Sequence, residues 1–212
     1  MYPIQSCIVT TETLEPVKRR REVTVERLLD AALETFAEIG FAAASVEDVC
    51  RRGGFTRGAF YSSFRSRDEL FAALFARESR RNLERAGQQL TGIEHEGDPL
   101  TAAVDRCLST FRADRTWVLV HTEYRLHAAR SPEAAAALRA HEVAVLDGLT
   151  RLIEETAARA RFRLVVPAHR LARIVLALHD GVVLAQVTGD EDDDLERTAL
   201  LLLLRSAVTP RD

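Results

Sequence analysis

Apolar side chains in this 212-residue chain recur with the spacing of an α-helix almost from end to end. The first long stretch places its apolar residues on one helix face, at Val25, Leu28, Leu29, Ala32, Leu33, Phe36 and Ile39. Alternating runs of β-branched residues between turns, which would indicate strands, are nearly absent. The pattern therefore predicts an all-α protein.

Capping and turn residues divide this pattern into nine predicted helices. Gly40 ends the first helix, and the glycine pair 53–54 separates the second from the third. Seven of the later helices begin at N-cap residues, at cap-then-proline pairs, at a proline or after an acidic run: Ser45 (a capping-box variant with Asp48), Thr56, Ser66, Asp98-Pro99, Ser131-Pro132, Pro167 and residues 190–194. The remaining helix is predicted from about Arg115 to Ala129.

Three regions follow from these boundaries. We expect a flexible N-terminal arm over residues 1–21, a small domain over 22–66, and a larger helical domain over 67–212. The basic cluster at residues 18–21 has two readings of equal weight. It is either an arm that reaches phosphates or the minor groove of DNA, or a solvated tail.

Positive charge gathers near one segment, although the formal net charge of the whole chain is −3. Residues 49–81 contain eight arginines and three acidic residues, whereas residues 82–212 contain 16 basic and 20 acidic residues. No apolar run is long enough to span a membrane, and no leader pattern begins the chain. The three widely spaced cysteines fit a reducing compartment, so we expect a cytoplasmic protein.

Two short helices joined by a glycine turn, at residues 45–64, form a candidate helix-turn-helix. In such a unit the second helix enters the major groove of DNA, and Arg57 near its start is suited to reading a guanine edge. Gly58 costs helix stability, which makes sense if a phosphate or base edge must approach the backbone. Thr56, Tyr61 and Ser62 are suited to phosphate oxygens.

These residues also carry a resemblance to a known family. Residues 25–41 resemble the opening helix of TetR-type regulators, and residues 45–61 look like their helix-turn-helix. The resemblance covers about residues 24–72, where spacing, caps and aromatic residues agree together. It implies a homodimer that binds a palindromic DNA operator and is released by a small-molecule effector.

The resemblance also implies roles for individual residues. Ser45 and Thr56 match phosphate-contacting caps, and Tyr61 matches a further phosphate contact. Arg57 matches a base-reading position, and Gly58 the position of close approach. Arg67 stands where the family usually has a lysine that touches phosphate.

The sequence departs from the family pattern at one place that bears on the operator. Ser62 and Ser63 replace a bulkier pair that often contains histidine. The operator is therefore not defined by the resemblance, and Ser63 is not assigned a DNA contact.

The larger domain offers polar residues on otherwise apolar helices. Trp117, His121 and Tyr124 share one helix face, and a pocket of aromatic and polar groups would suit a partly apolar effector. The candidate effector residues are Cys107, Phe111, Trp117, His121, Tyr124 and His179. For any one of them, a place in the core or on the surface is the simpler reading.

The last two helices suggest a dimer interface, because residues 200–204 are apolar on every side of a helix. A four-helix bundle with a second copy would bury them, and a larger core within one chain is the alternative. The candidate interface residues are Ile174, Leu178, Val182, Leu200, Leu201 and Leu204.

Two other classes of function remain in competition with a ligand-responsive regulator. One is an all-α DNA-binding protein without an effector, and the other is a helical enzyme. His141-Glu142 lacks the second histidine of a zinc-protease motif, and neither a glycine-rich phosphate loop nor a nucleophile elbow is present. We therefore predict no catalytic residues, no metal and no cofactor.

Overall fold

In the computed structural model, described for residues 14–110, 115–189, 192 and 194–211, nine α-helices are joined by short connections. The nine predicted helices are confirmed over that range. Their bounds are α1 Leu14–Ile39, α2 Val46–Gly53, α3 Arg57–Tyr61, α4 Arg67–Gln89, α5 Pro99–Thr110, α6 Arg115–Ala128, α7 Pro132–Arg159, α8 Ala168–Val187 and α9 Leu195–Ala207.

Helix α1 begins at Leu14, so the expected flexible arm over residues 1–21 is wrong for residues 14–21. Pro16 falls in the first helical turn, where its missing N–H costs nothing, and the lysine and arginines that follow are good helix formers. Residues 1–13 lie outside the described part. Helix α3 ends at Tyr61, with Ser62 as its C-cap, three residues before the predicted end of the helix-turn-helix at residue 64.

A small antiparallel sheet was missed by the sequence analysis. Strand β1 (Phe162–Leu164) follows α7 and pairs with β2 (Val208–Pro210) at the end of α9. The strands are three residues each, too short for a period-two pattern to stand out. Their pairing joins the end of α9 to the connection between α7 and α8.

The core of the N-terminal half is built around Phe41, which is 1% exposed. Its ring makes edge contacts with Phe36, Phe71 and Tyr124, at centroid distances of 5.1, 5.7 and 5.0 Å. These rings come from α1, α4 and α6, so the core that supports α2 and α3 continues into the larger domain. Within the described ranges, no helix is both long and apolar enough to cross a bilayer.

Candidate DNA-binding surface

Two capped helix starts set the geometry of the helix-turn-helix. Ser45 and Asp48 form a reciprocal capping box at the start of α2, as predicted. The side chain and backbone N–H of Ser45 hold the pKa of the Asp48 carboxyl below its usual value. At the start of α3, the backbone N–H of Ala59 donates to the hydroxyl of Thr56 over 3.2 Å. The directions of both helices are thus fixed by local hydrogen bonds.

The turn between α2 and α3 depends on two glycines with different roles. Gly54 has a φ of +71° and ends α2 in the left-handed region, where its N–H donates to the carbonyl of Cys50. A Cβ atom at Gly53 would lie 2.8 Å from the ring of Phe55 and 3.2 Å from the Cβ of Ala31. The turn therefore packs tightly against α1, and larger residues would separate the two helices from it.

Helix α3 divides cleanly into a buried and an exposed side. Phe60 is fully buried and Phe64 is 5% exposed, so both rings face the core, as their spacing of four residues on one helix face predicts. Tyr61 is 49% exposed, and the side chain of Arg57 is 63% exposed. The exposed residues are those that the sequence assigns to DNA contacts.

Gly58 lies on the exposed side of α3 in open space. Among the described residues, a Cβ atom at this position would meet nothing nearer than the hydroxyl of Thr56 at 3.8 Å. Its backbone is also helical, so neither packing nor a left-handed conformation requires glycine here. The folded chain itself gives no reason for Gly58.

The exposed arginine of α3 is held in place by two neighbours. Arg57 Nη1 lies 2.8 Å from Oε1 of Glu47, on α2. The guanidinium carbon of Arg57 lies 5.8 Å from the ring centroid of Tyr61. We define Glu47, Arg57, Gly58 and Tyr61 as the reading surface. Glu47 was not among the residues predicted to act in DNA binding. Its spacing of four residues from Arg51 indicates an ion pair within α2 and gives no sign of the pair with Arg57.

Arg67 differs most from its predicted role, because its side chain is directed into the protein. Its Nη1 donates to the backbone carbonyls of Phe41, at 3.0 Å, and of Ala44. Its guanidinium carbon also lies 5.1 Å from the ring centroid of Phe41. In this structure Arg67 ties the start of α4 to the turn before α2, and a phosphate contact stays a prediction.

The hydroxyls of the two serines after Tyr61 are placed differently from each other. The hydroxyl of Ser62 donates to the carbonyl of Ala59 over 2.7 Å. The hydroxyl of Ser63 is buried and has no hydrogen-bond partner among the described residues. A phosphate contact by Ser62 would require its hydroxyl to turn away from α3.

Residues 28–74 match the family described as bacterial regulatory proteins, tetR family. The helix-turn-helix segment of the chain is therefore similar to that of TetR-family regulators. The matched segment runs from α1 into α4, so it contains the whole reading surface and the core that supports it.

The chain is also similar in sequence to known helix-turn-helix regulators of transcription. A helix-turn-helix transcriptional regulator of Mycobacterium bovis is 36% identical over 87 residues, which are 41% of this chain and 45% of that protein. The match thus spans less than half of that relative. UidR of Escherichia coli is 25% identical over 186 residues, covering 88% of this chain and 91% of UidR. These relatives are described as regulators of transcription and not as enzymes.

A solved structure shows that the likeness of fold extends beyond the DNA-binding domain. FadR of Bacillus subtilis, in complex with stearoyl-CoA, superposes with a TM-score of 0.66 at 19% identity. The match covers 84% of this chain and 96% of FadR. The larger helical domain of the chain therefore has a fold similar to that of FadR.

In the larger domain, the predicted face of α6 lies in a cluster of stacked rings. Trp117 and His121 stack at 5.6 Å, and Tyr124 stacks on Phe71 of α4 at 3.6 Å. Phe75 of α4 completes the stack, 4.7 Å from His121. We call these five residues together with His141 of α7, which lies 4.4 Å from Phe75, the ring cluster.

Two polar atoms in the ring cluster, the Nε2 atoms of His121 and His141, are buried without hydrogen-bond partners among the described residues. The hydroxyl of Tyr124 is also buried, and it interacts with the carboxylate of Asp68. Burial lowers the pKa of His121 to about 4 and also lowers that of His141, so both rings are neutral at pH 7. Phe71, Phe75 and His141 were not among the effector residues predicted from the sequence. The spacing of Phe71 and Phe75 by four residues on α4 was the available signal.

Two other candidate effector residues, His179 and Cys107, are not part of the ring cluster. His179 Nδ1 lies 2.6 Å from Oε1 of Glu196, a buried carboxylate on α9. Burial opposes the charged imidazole, but the hydrogen bond and charge of Glu196 outweigh it and raise the pKa of His179. Cys107 is half-buried on α5, where burial raises the pKa of its thiol to about 11. Phe111 lies outside the described residues.

The candidate dimer residues differ in exposure. Ile174 is 41% exposed on α8, whereas Leu200 is 8% exposed and already packed within the subunit. Leu178, Val182, Leu201 and Leu204 are half-buried. The most exposed large apolar residue of α9 is Leu202, at 70%, which was not among the candidates.

Helix α6 connects the larger domain to the helix-turn-helix. The backbone N–H of Phe41 donates to Oε2 of Glu123 over 2.6 Å, and His127 Nε2 lies 3.1 Å from Oδ1 of Asp68. Glu123, Tyr124 and His127 therefore all contact residues at the base of the DNA-binding domain. A shift of α6 would therefore displace the turn between α1 and α2 through the contact of Glu123 with Phe41.

Proposed function

We propose that this chain regulates transcription as a cytoplasmic homodimer, most simply as a repressor that binds a palindromic operator and leaves it when a small molecule binds. Each subunit would insert α3 into the major groove of one half-site. Arg57 would read a guanine edge, while Thr56, Tyr61 and the helix N-termini would contact phosphates.

The observation that carries this proposal is the reading surface itself. Exposed Arg57 and Tyr61 flank a glycine that nothing inside the protein requires. A helix that served only packing would gain stability from alanine at this position. Close approach of a phosphate or base edge explains why glycine is found instead.

The ring cluster supports the proposed response to an effector. Buried polar atoms without partners cost free energy, and a bound molecule could satisfy them. The gap beside Phe71, Phe75 and His141 is too narrow to admit a water molecule, so a ligand would have to separate α7 from α4 and α6. FadR, whose fold is similar, was solved with an acyl-CoA ligand. Because α6 also contacts Phe41, such a movement would reposition the helix-turn-helix.

The dimer is supported by apolar side chains that remain exposed on the last two helices. Ile174 and Leu184 of α8 and Leu195 and Leu202 of α9 are each at least 38% exposed. A twofold dimer through these helices would cover them and place two copies of α3 on one side, as a palindromic operator requires.

Substituting Gly58 with alanine should separate stability from DNA binding. We expect the free energy of unfolding to rise by about 0.5–1 kcal/mol, because alanine is the better helix former. Operator affinity should fall by about tenfold, equal to about 1.4 kcal/mol, because the added methyl group prevents close approach. Denaturant unfolding and fluorescence anisotropy with labelled operator would measure the two quantities.

Gly87→Ala is the matched control, since Gly87 lies within α4 and its Cβ would make an ordinary contact at 3.9 Å with Leu152. This variant should gain stability without losing operator affinity. The proposed role of α3 would be wrong if Gly58→Ala bound the operator as tightly as the wild type.

A further inference from the structure

The ion pair between Arg57 and Glu47 is an unusual feature for a surface that meets DNA. Glu47 places a carboxylate beside the predicted base-reading arginine, and its own side chain is 48% exposed. An anion here is repelled by every phosphate that approaches the surface. Its presence therefore needs an explanation other than affinity for DNA.

Stability of the fold does not supply that explanation. Ion pairs between exposed side chains contribute little, because solvent screens them and ordering two long side chains costs entropy. The cap of α2 is provided by Ser45 and Asp48, and Glu47 adds only the small favourable effect of an acid in the first helical turn. Asp48 forms an ion pair with Arg51 over 2.7 Å, so the pair between Glu47 and Arg57 is separate from it.

We propose that Glu47 is a positioning residue that makes DNA binding selective, by orienting Arg57 toward a base edge and by repelling DNA that offers no matching base. This inference rests on the proposed function of α3. Oε1 of Glu47 lies 2.8 Å from Nη1 of Arg57, and the ring centroid of Tyr61 lies 5.8 Å from the guanidinium carbon, so two neighbours restrain this side chain.

The donor geometry of arginine allows this arrangement. A guanidinium carries five N–H donors, so an ion pair through Nη1 leaves Nη2 and Nε for a two-point contact with guanine. Restraint before binding reduces the side-chain entropy that is lost on reading the base. On unrelated DNA the repulsion remains, but the contact with guanine does not compensate for it.

The test compares Glu47→Gln with the wild type on two duplexes, a selected operator and a scrambled sequence of the same composition. We expect tighter binding to the scrambled duplex, no gain on the operator, and a ratio of the two affinities that falls by about tenfold. Glu84→Gln is the matched control, because Glu84 forms a pair with Arg80 on α4 in which both side chains are exposed. Its affinity ratio should equal that of the wild type.

A second variant separates positioning from a direct contact by Glu47. In an Arg57→Ala background, Glu47→Gln should no longer change which operator bases are preferred. Persistent loss of base preference in that background would show that Glu47 reads DNA itself and would overturn the proposal. An affinity ratio within twofold of the wild type for Glu47→Gln would also overturn it. If instead the wild type itself fails to distinguish the two duplexes, the proposed function of α3 fails first.

Discussion

Replacing Arg57 with alanine is expected to weaken binding to the selected operator by about 1–3 kcal/mol, or roughly 5- to 150-fold in Kd. The side chain is 63% exposed and its only charged partner shown in the structure is Glu47, also on the surface. Its removal should therefore leave the fold intact and act on DNA alone. Anisotropy titrations with the operator and with scrambled DNA would measure the loss.

The size of this loss in affinity should depend on the DNA sequence. Binding to scrambled DNA should weaken far less, because an arginine that reads a base contributes mainly where that base is present. Arg80→Ala is a suitable control, since Arg80 is 65% exposed and lies on α4, away from the reading surface. Equal losses on both duplexes would mean that Arg57 contacts phosphate rather than a base.

Replacing Phe41 with alanine is expected to lower the free energy of unfolding by about 3–5 kcal/mol. Phe41 is 1% exposed, and its ring contacts three aromatic residues as well as the guanidinium of Arg67. Removing the ring opens a cavity where α1, α4 and α6 meet. Denaturant unfolding monitored by circular dichroism would measure the change.

Val143→Ala provides the comparison for this prediction, because Val143 is 57% exposed on α7 and lies outside the proposed dimer interface. Its loss should change the free energy of unfolding by less than about 0.5 kcal/mol. A similarly small effect for Phe41→Ala would contradict the core described above. In that case Phe41 would not join the two domains.

Local signals were sufficient for much of the architecture. Ser45 with Asp48, Thr56, Ser66 and Ser131 each predict a helix start, and each accepts the backbone hydrogen bond expected of an N-cap. The burial of Phe60 and Phe64 follows from their spacing of four residues. Such features depend on neighbours within one helical turn, which a sequence displays directly.

Features that depend on distant residues could not be predicted in the same way. Arg67 turns toward carbonyls 23 and 26 residues earlier in the chain, and His179 pairs with a carboxylate 17 residues later. The ring cluster joins α4, α6 and α7, so the sequence identified only the part that lies on α6. Each of these depends on how whole helices pack, which residue spacing does not specify.

Selection of operators from random duplex DNA tests the central claim most directly. The account predicts enriched sequences with two half-sites in twofold symmetry, centred about one helical turn apart or a multiple of it, with a guanine in each that Arg57→Ala ceases to prefer. Recovery of sequences without symmetry or shared bases, at affinities equal to those for scrambled DNA, would contradict it.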